Sequence, residues 1–277
     1  MGNYQSVIIT MRKPLITLSS DFGPGNVGCG AMEAVAASIC SEATIVHLCH
    51  NITPYDIREG ARILECVART PVGFHVCVVD PGVGTDRRGI VVQTGRGDFL
   101  VGPDNGLLLP AATRLEGVKG IWILENETYQ NHPVSPIFHG RDVFSPAAAF
   151  LANGIDPSEL GPSLAHEMLA PPPYKEAFFE GNELCCEVIH INGNGSLFLN
   201  LLADTFHQFS RWGETVFAKI HGKKVALKHQ RTFGEVTAGA ALILDDDFGR
   251  VEVAVNCGNF AKEFSVERGT LLSLTKN

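Results

Sequence analysis

At 277 residues, 45% of them hydrophobic and 19% charged, the chain is long enough to bury a full core as one large domain or two. A formal net charge of -8 excludes general affinity for nucleic acid or acidic lipid, which require a basic surface, and points to a small-molecule partner. The eight cysteines (Cys29, Cys40, Cys49, Cys66, Cys77, Cys185, Cys186 and Cys257) sit mostly in apolar runs and form no CxxC pair. They signal neither a zinc site nor a disulfide framework, and read as reduced core thiols in a cytoplasm.

The opening MGNYQSVIIT lacks the basic region, long apolar segment and small-residue cleavage site of a secretion signal. No apolar run reaches the roughly 18 residues needed to span a bilayer. Met11 stands directly before Arg12, Lys13 and the first clear strand, so it is a second candidate start and the first ten residues a candidate extension. Gly2 followed by Ser6 has the form of a myristoylation signal, a weak reading without a eukaryotic context.

In chain order, Leu15 to Leu18 reads as a strand, Ser19 to Asn26 as a Gly/Pro-punctuated polar loop, and Val27 to Ile39 as a small-residue helix. Strands over Thr44 to Leu48 and Val72 to Val79 flank a helix over Tyr55 to Val67, and this alternation predicts a mostly parallel sheet. The second of these strands runs into Asp80-Pro81-Gly82. Pro81 lacks a ladder donor, so the strand is expected to end at Asp80 and deliver it to a crevice. Ile90 to Gln93 and Phe99 to Val101 read as a hairpin, Ile121 to Leu124 as a strand, and Val143 to Asn153 as an Ala-rich helix capped by Gly154.

Pro171-Pro172-Pro173 reads as a stiff connector, which divides the chain into residues 1–170 and 171–277. Beyond it come short strands over Leu184 to Ile191, Ser196 to Leu199, Thr215 to Ile220, Lys224 to Ala226, Ala241 to Leu244, Arg250 to Ala254 and Leu271 to Leu274. The fold class expected is an α/β N-terminal domain with a smaller, mainly antiparallel β domain, a barrel or sandwich.

Four polar clusters fall in loops of the first domain: Ser20-Asp21, Asp80 with Arg87 and Arg88, Asp104-Asn105, and His139 with Arg141 and Asp142. Each alone reads more readily as an ordinary turn or helix start than as a site. Three follow a predicted strand, so they can converge on one edge of the sheet. If Asp80, Arg87 and His139 meet, a carboxylate kept ionised by a guanidinium, beside an imidazole, can hold and polarise a water. Alternatively, Asp21, Asp80, Asp104, His139 and Asp142 can bind a divalent metal for phosphoester cleavage. The chain has no GxxxxGK[ST], no GxSxG and no HExxH. That speaks against a P-loop, a hydrolase elbow or a zincin.

LSSDFG, VVDPGVGTDRR, VGPDNG and FHGRDVFSPAAA, in this order, closely resemble the S-adenosyl-L-methionine hydroxide adenosyltransferases, relatives of the fluorinase and chlorinase enzymes. The resemblance implies an α/β domain followed by a β domain, a homotrimer with active sites between subunits, and attack of water or hydroxide on ribose C5′ of S-adenosyl-L-methionine. The products are adenosine and L-methionine. It implies no cofactor and no metal. The family's water-holding triad falls on Asp80, Arg87 and His139. Halogenating relatives carry other residues at the Asp80 position, so its presence implies water as nucleophile.

The same resemblance places substrate contacts at Asp21, Asn105, Asn192, Ser196, Phe198, Asp247 and Glu252. Asp21 would bind the ribose hydroxyls and Phe198 stack on adenine. The second domain departs from the family pattern. Its usual aspartate is Asn192, its usual Asn is Ser196, and an Asn-Ser pair reads Asp246-Asp247, whereas Asn200 and Glu252 are kept. A non-catalytic adenosine or S-adenosylmethionine binding protein is the alternative outside enzymes.

Overall fold

In the computed structural model the described residues are 13–276. The readings of the first ten residues and of Met11 as a start lie outside them. The first sheet contains β1 (Leu15–Ser20), β2 (Thr44–Cys49), β3 (Phe74–Val78), β4 (Gly89–Thr94), β5 (Phe99–Pro103) and β6 (Val118–Ile123), in the order β2-β1-β3-β5-β4-β6. The β1–β2, β1–β3 and β3–β5 pairs are parallel, and β4 runs antiparallel to β5 and β6.

Side chains alternate across this sheet, as the two-residue period of a strand requires. Ile16, Leu18, Val76, Val78 and Val91 pack with Met32 and Ala36 of α1 (Val27–Ile39) and Ala147 to Ala149 of α4 (Ser145–Ala152). Cys77, Val79, Ile90 and Val92 face the other way, onto Ala61 and Leu64 of α2 (Ile57–Leu64) and Ala111 and Ala112 of α3 (Leu109–Arg114). Helices therefore cover both faces, which explains the continuous apolar runs of the parallel strands.

The second sheet is built from β7 (Phe178–Glu180), β8 (Glu183–Ile191), β9 (Leu197–Leu202), β10 (Thr215–Ile220), β11 (Lys223–His229), β12 (Ala241–Asp245), β13 (Arg250–Val255) and β14 (Leu271–Thr275). Because β14 pairs with both β10 and β8, seven strands close into a barrel, and β7 adds to the outside of β8. All its pairings are antiparallel except β11 with β12. α5 (Ala203–Phe209) and α6 (Phe260–Phe264) place Phe206 and Phe260 in the barrel core.

Several elements differ from the sequence reading. β3 stops at Val78, two residues before Asp80, because the Val79 carbonyl accepts from the Asn105 side chain (2.9 Å) instead of a ladder N–H. α2 starts at Ile57, capped by Asp56, whose side chain accepts from the Glu59 N–H; Tyr55 precedes it at φ 66°, outside helical space. β9 starts at Leu197 because the Ser196 N–H is used by the Asn192 side chain (3.0 Å). α3, β7, α5 and α6 are too short to carry a readable period. Not every cysteine is a core thiol: all eight are free, but Cys257 is exposed in the turn after β13, at φ 56°.

Charged side chains join the two sheets. Arg250 of β13 is fully buried and grips Glu65, just past α2, with Nε 2.6 Å from Oε2, and also Glu176, through Nη1 to Oε2 and Nη2 to Oε1, both 2.8 Å. Beside it Arg62 of α2 pairs with Asp246. Removing one partner strands a buried charge, whereas replacing both by apolar groups does not. Arg250→Met is therefore expected to lower unfolding free energy by about 3–5 kcal/mol in urea denaturation, with Arg250→Met/Glu65→Leu recovering most of it. A double variant no more stable than the single one would refute this account.

Candidate active site

β1 and β3 are adjacent parallel strands, and their C-terminal ends place Asp21 and Asp80 on one rim. The Asp21 N–H closes the ladder by donating to the Val78 carbonyl (3.3 Å). Both carboxylates line a cavity of about 380 Å³ with His139, Phe22, Tyr55 and Phe138. A crevice at the carboxyl ends of parallel strands is where this architecture binds ligands.

Arg87 organises the rim from behind. Its Nε donates to Asp80 Oδ1 at 2.9 Å, and its Nη2 bonds Asp80 Oδ2 and also donates to His139 Nδ1 at 3.0 Å. The Asp80 and Arg87 side chains are only 5% and 8% exposed, so the pair is shielded from water. The guanidinium lies over the buried Phe144 ring, 5.4 Å from its centroid, in the single π-helical turn Gly140–Phe144 that leads into α4. The neighbouring loops touch at Gly84, at φ 78°, where a Cβ would fall 2.7 Å from the Pro136 carbonyl oxygen. Only glycine fits there.

Because an arginine has no acceptor, the Arg87 contact defines the imidazole: Nδ1 of His139 accepts. Burial, followed by the charge of Arg87, holds the His139 pKa below its ordinary value of 6.5. The ring is therefore neutral at pH 7, with its hydrogen on Nε2. Asp21 accepts from the Tyr55 N–H through Oδ2 (2.8 Å), leaving Oδ1 for a hydroxyl.

The other polar clusters do not face this cavity. Arg88 turns away from Asp80 and holds Asp104, with Nε 2.9 Å from Oδ2, while Asp104 Oδ1 accepts from the Ala170 N–H. Asn105 donates to the Val79 carbonyl and accepts from the Leu107 N–H (3.2 Å), so it braces the turn rather than facing the cavity. Asp142 is buried and takes Arg141, Asn131 and the Ser135 N–H, anchoring the loop that presents His139. Asp80, Asp104 and Asp142 thus each pair with their own guanidinium, and the five-residue acidic metal site does not assemble.

The second-domain candidates gather elsewhere. Asn192, Ser196, Phe198, Asp247 and Glu252 line a separate cavity of about 740 Å³ at one side of the barrel. Asn192 accepts from the Asn194 and Ser196 N–H groups, both at 3.0 Å, and shapes the β8–β9 turn. Burial raises the Glu252 pKa, opposed by a hydrogen bond from Ser196 and reinforced by Asp246 and Asp247. Asp247 is exposed at the rim. Phe198 has Arg62 5.3 Å from its ring centroid.

Sequence reasoning did not single out Phe22, Tyr55 and Phe138 as cavity walls, or Arg62 as the support under Phe198. Phe22 and Phe138 each adjoin a candidate residue in the chain, and that adjacency was an available signal. Arg62 had none, being 184 residues from Asp246 and 136 from Phe198.

Residues 16–161 match the family model described as SAM hydroxide adenosyltransferase N-terminal domain, and residues 186–273 match its C-terminal domain. The chain is 36% identical over 266 residues to the (R)-S-adenosyl-L-methionine hydrolase of Salinispora arenicola, covering 95% of this chain and 98% of that protein. It is 37% identical over 259 residues to the enzyme of that name from Thermus thermophilus, covering 90% and 95%. A crystal structure of an uncharacterized conserved protein from Thermotoga maritima superposes with a TM-score of 0.88 at 28% identity, covering 94% of this chain and all of that one. With both domain models matched in order and relatives above 30% identity along nearly its whole length, the chain belongs to the SAM hydroxide adenosyltransferase family.

Proposed function

We propose that the protein hydrolyses S-adenosyl-L-methionine to adenosine and L-methionine, with Asp80, Arg87 and His139 holding the attacking water. The observation that carries this reading is Arg87 bridging Asp80 and His139, which both line the cavity that holds Asp21. The sulfonium is its own leaving group, so the reaction draws on no cofactor. Catalysis lies in positioning and desolvating the water in line with the C5′–S bond.

As the C5′–O bond forms, the C5′–S pair passes to sulfur and the attacking oxygen becomes strongly acidic, so a weak base suffices. Nδ1 of His139 is occupied by Arg87, so Nε2–H donates to the water and the Asp80 carboxylate takes the proton. Asp21 would accept from the ribose hydroxyls. Incubation in 18O-water is expected to label the 5′-hydroxyl of adenosine. Label in homoserine instead, from attack on the methionine side chain, would overturn the assignment.

We assign the nucleophile side of the pocket to residues 1–170 and the adenine and methionine side to 171–277, met in a homotrimer at subunit boundaries. Two features support this. The two cavities of one chain share no lining residue, and the first is rimmed by Tyr55 and Ile137, 74% and 79% exposed. Such apolar exposure beside a polar site marks a surface meant to be covered. With all eight cysteines free, we place the protein in the cytoplasm; among the described residues no helix is long and apolar enough to cross a membrane.

Asp80→Asn and Glu252→Ala are each expected to cut adenosine formation by about 10²- to 10⁴-fold with the fold intact by circular dichroism. Co-refolding the two should restore about a quarter of the native rate if each site draws on two subunits, since one site in four then pairs intact halves. No recovery would place the site within one chain. The lowered His139 pKa sets the pH profile: the ring loses its neutral form below pH 6.5, so the acid fall in kcat should have its midpoint below 6.5. A fall centred at or above 6.5 would contradict the neutral-imidazole role.

A further inference from the structure

At one end of the barrel three side chains outside both cavities converge. His229 continues the inward-facing row of β11 after Leu227, and Asp245 that of β12 after Ile243. His207 comes from α5, beside the core residue Phe206. One nitrogen of each histidine and one Asp245 oxygen all lie within 4.8 Å of one another. We propose that His207, His229 and Asp245 bind a divalent transition ion of the zinc class, as a site separate from the hydrolytic one.

Two observations beyond proximity point to a ligand. His229 is wholly buried, yet its Nε2 has no hydrogen-bond partner, and Asp245 Oδ1 is also buried and unpartnered. Orphaned buried polar atoms are costly, so two of them beside one cluster mark an occupant. The surroundings also set the His229 tautomer. Its Nδ1 lies 3.0 Å from Ser210 Oγ, whose hydroxyl is directed to Glu214 Oε2 (3.4 Å), so Nδ1–H donates to Ser210 and the Nε2 lone pair faces the cluster. A ligand histidine braced through its other nitrogen is the usual outer-shell arrangement.

His207 Nε2 and Asp245 Oδ2, 2.8 Å apart, complete the set. On binding, the metal replaces the hydrogen between them, which moves to Nδ1 of His207. Two imidazoles and a carboxylate suit Zn(II), Co(II) or Ni(II) rather than Mg(II) or Ca(II), and His207 and Asp245, each 32% exposed, leave solvent access for a fourth ligand. A bound ion would tie α5 to the short parallel β11–β12 pairing, which spans only Lys228↔Leu242 and His229↔Ile243.

The test uses the full chain without a polyhistidine tag, stripped with EDTA and titrated with Co(II), then Zn(II). Expected are one Co(II) per chain with visible d–d absorption, displacement by Zn(II), and quenching of Trp212, whose ring centroid is 4.2 Å from that of His229. Because His229 is in the core, the deciding variants are the part-exposed His207→Ala and Asp245→Asn, each expected to weaken Co(II) binding at least about tenfold. Absence of stoichiometric binding, or equal binding by both variants, overturns the site.

Discussion

The Arg250 guanidinium, buried in β13 and shared by Glu65 and Glu176, is the interaction on which the arrangement of the chain depends. A guanidinium with no exposure must be neutralised by carboxylates in the plane of its fork, and Glu65 supplies two oxygens from the end of α2. The adjacent Arg62–Asp246 pair follows the same logic in reverse, with the base on the helix and the acid on the barrel. Four buried charges of alternating sign tolerate little sliding between the sheets, so they set the register of one sheet against the other. Asp246 also accepts from the Phe248 and Arg250 N–H groups, at 2.8 Å each, so the same network shapes the loop that carries Asp247 to the second cavity.

A second guanidinium plays the corresponding part at the active site. Arg87 is kept from solvent by Phe144 and serves a carboxylate and an imidazole at once. Sharing one cation between them fixes the imidazole tautomer and keeps the ring from competing for protons. The chain separates structural from reactive charge by pairing: Arg88 with Asp104 and Arg141 with Asp142 are closed pairs with backbone partners, and of the four rim clusters only Asp21, Asp80 and His139 present side chains to the crevice.

Strand ends are the most readable feature of the first domain. Apolar runs stopped by Ser20-Asp21 and by Asp80-Pro81 announce buried parallel strands with polar C-terminal ends, so the crevice and two of its carboxylates follow from local chemistry. Asn105 shows the boundary of that logic. Its place after β5 suggested a ligand contact, but its amide bonds the Val79 carbonyl and the Leu107 N–H, a choice made by where β3 ends. Cys257 is a similar case: it stands in the turn that follows an apolar strand, and the left-handed backbone of that turn puts it outside.

By itself the sequence determined the α/β-then-β order, the strand-end crevice, the candidate triad by likeness of its motifs, and a surface unsuited to polyanions. Those properties are set by residues near one another in the chain or by sums over it. Tertiary structure alone decided that Arg88 turns to Asp104, that Asp104 and Asp142 are closed off from the rim, that seven strands close into a barrel, and that His207, His229 and Asp245 meet. Each of these rests on contacts between distant segments, and which of several available partners a charged side chain takes is settled by packing, to which hydrophobic period and turn chemistry are blind.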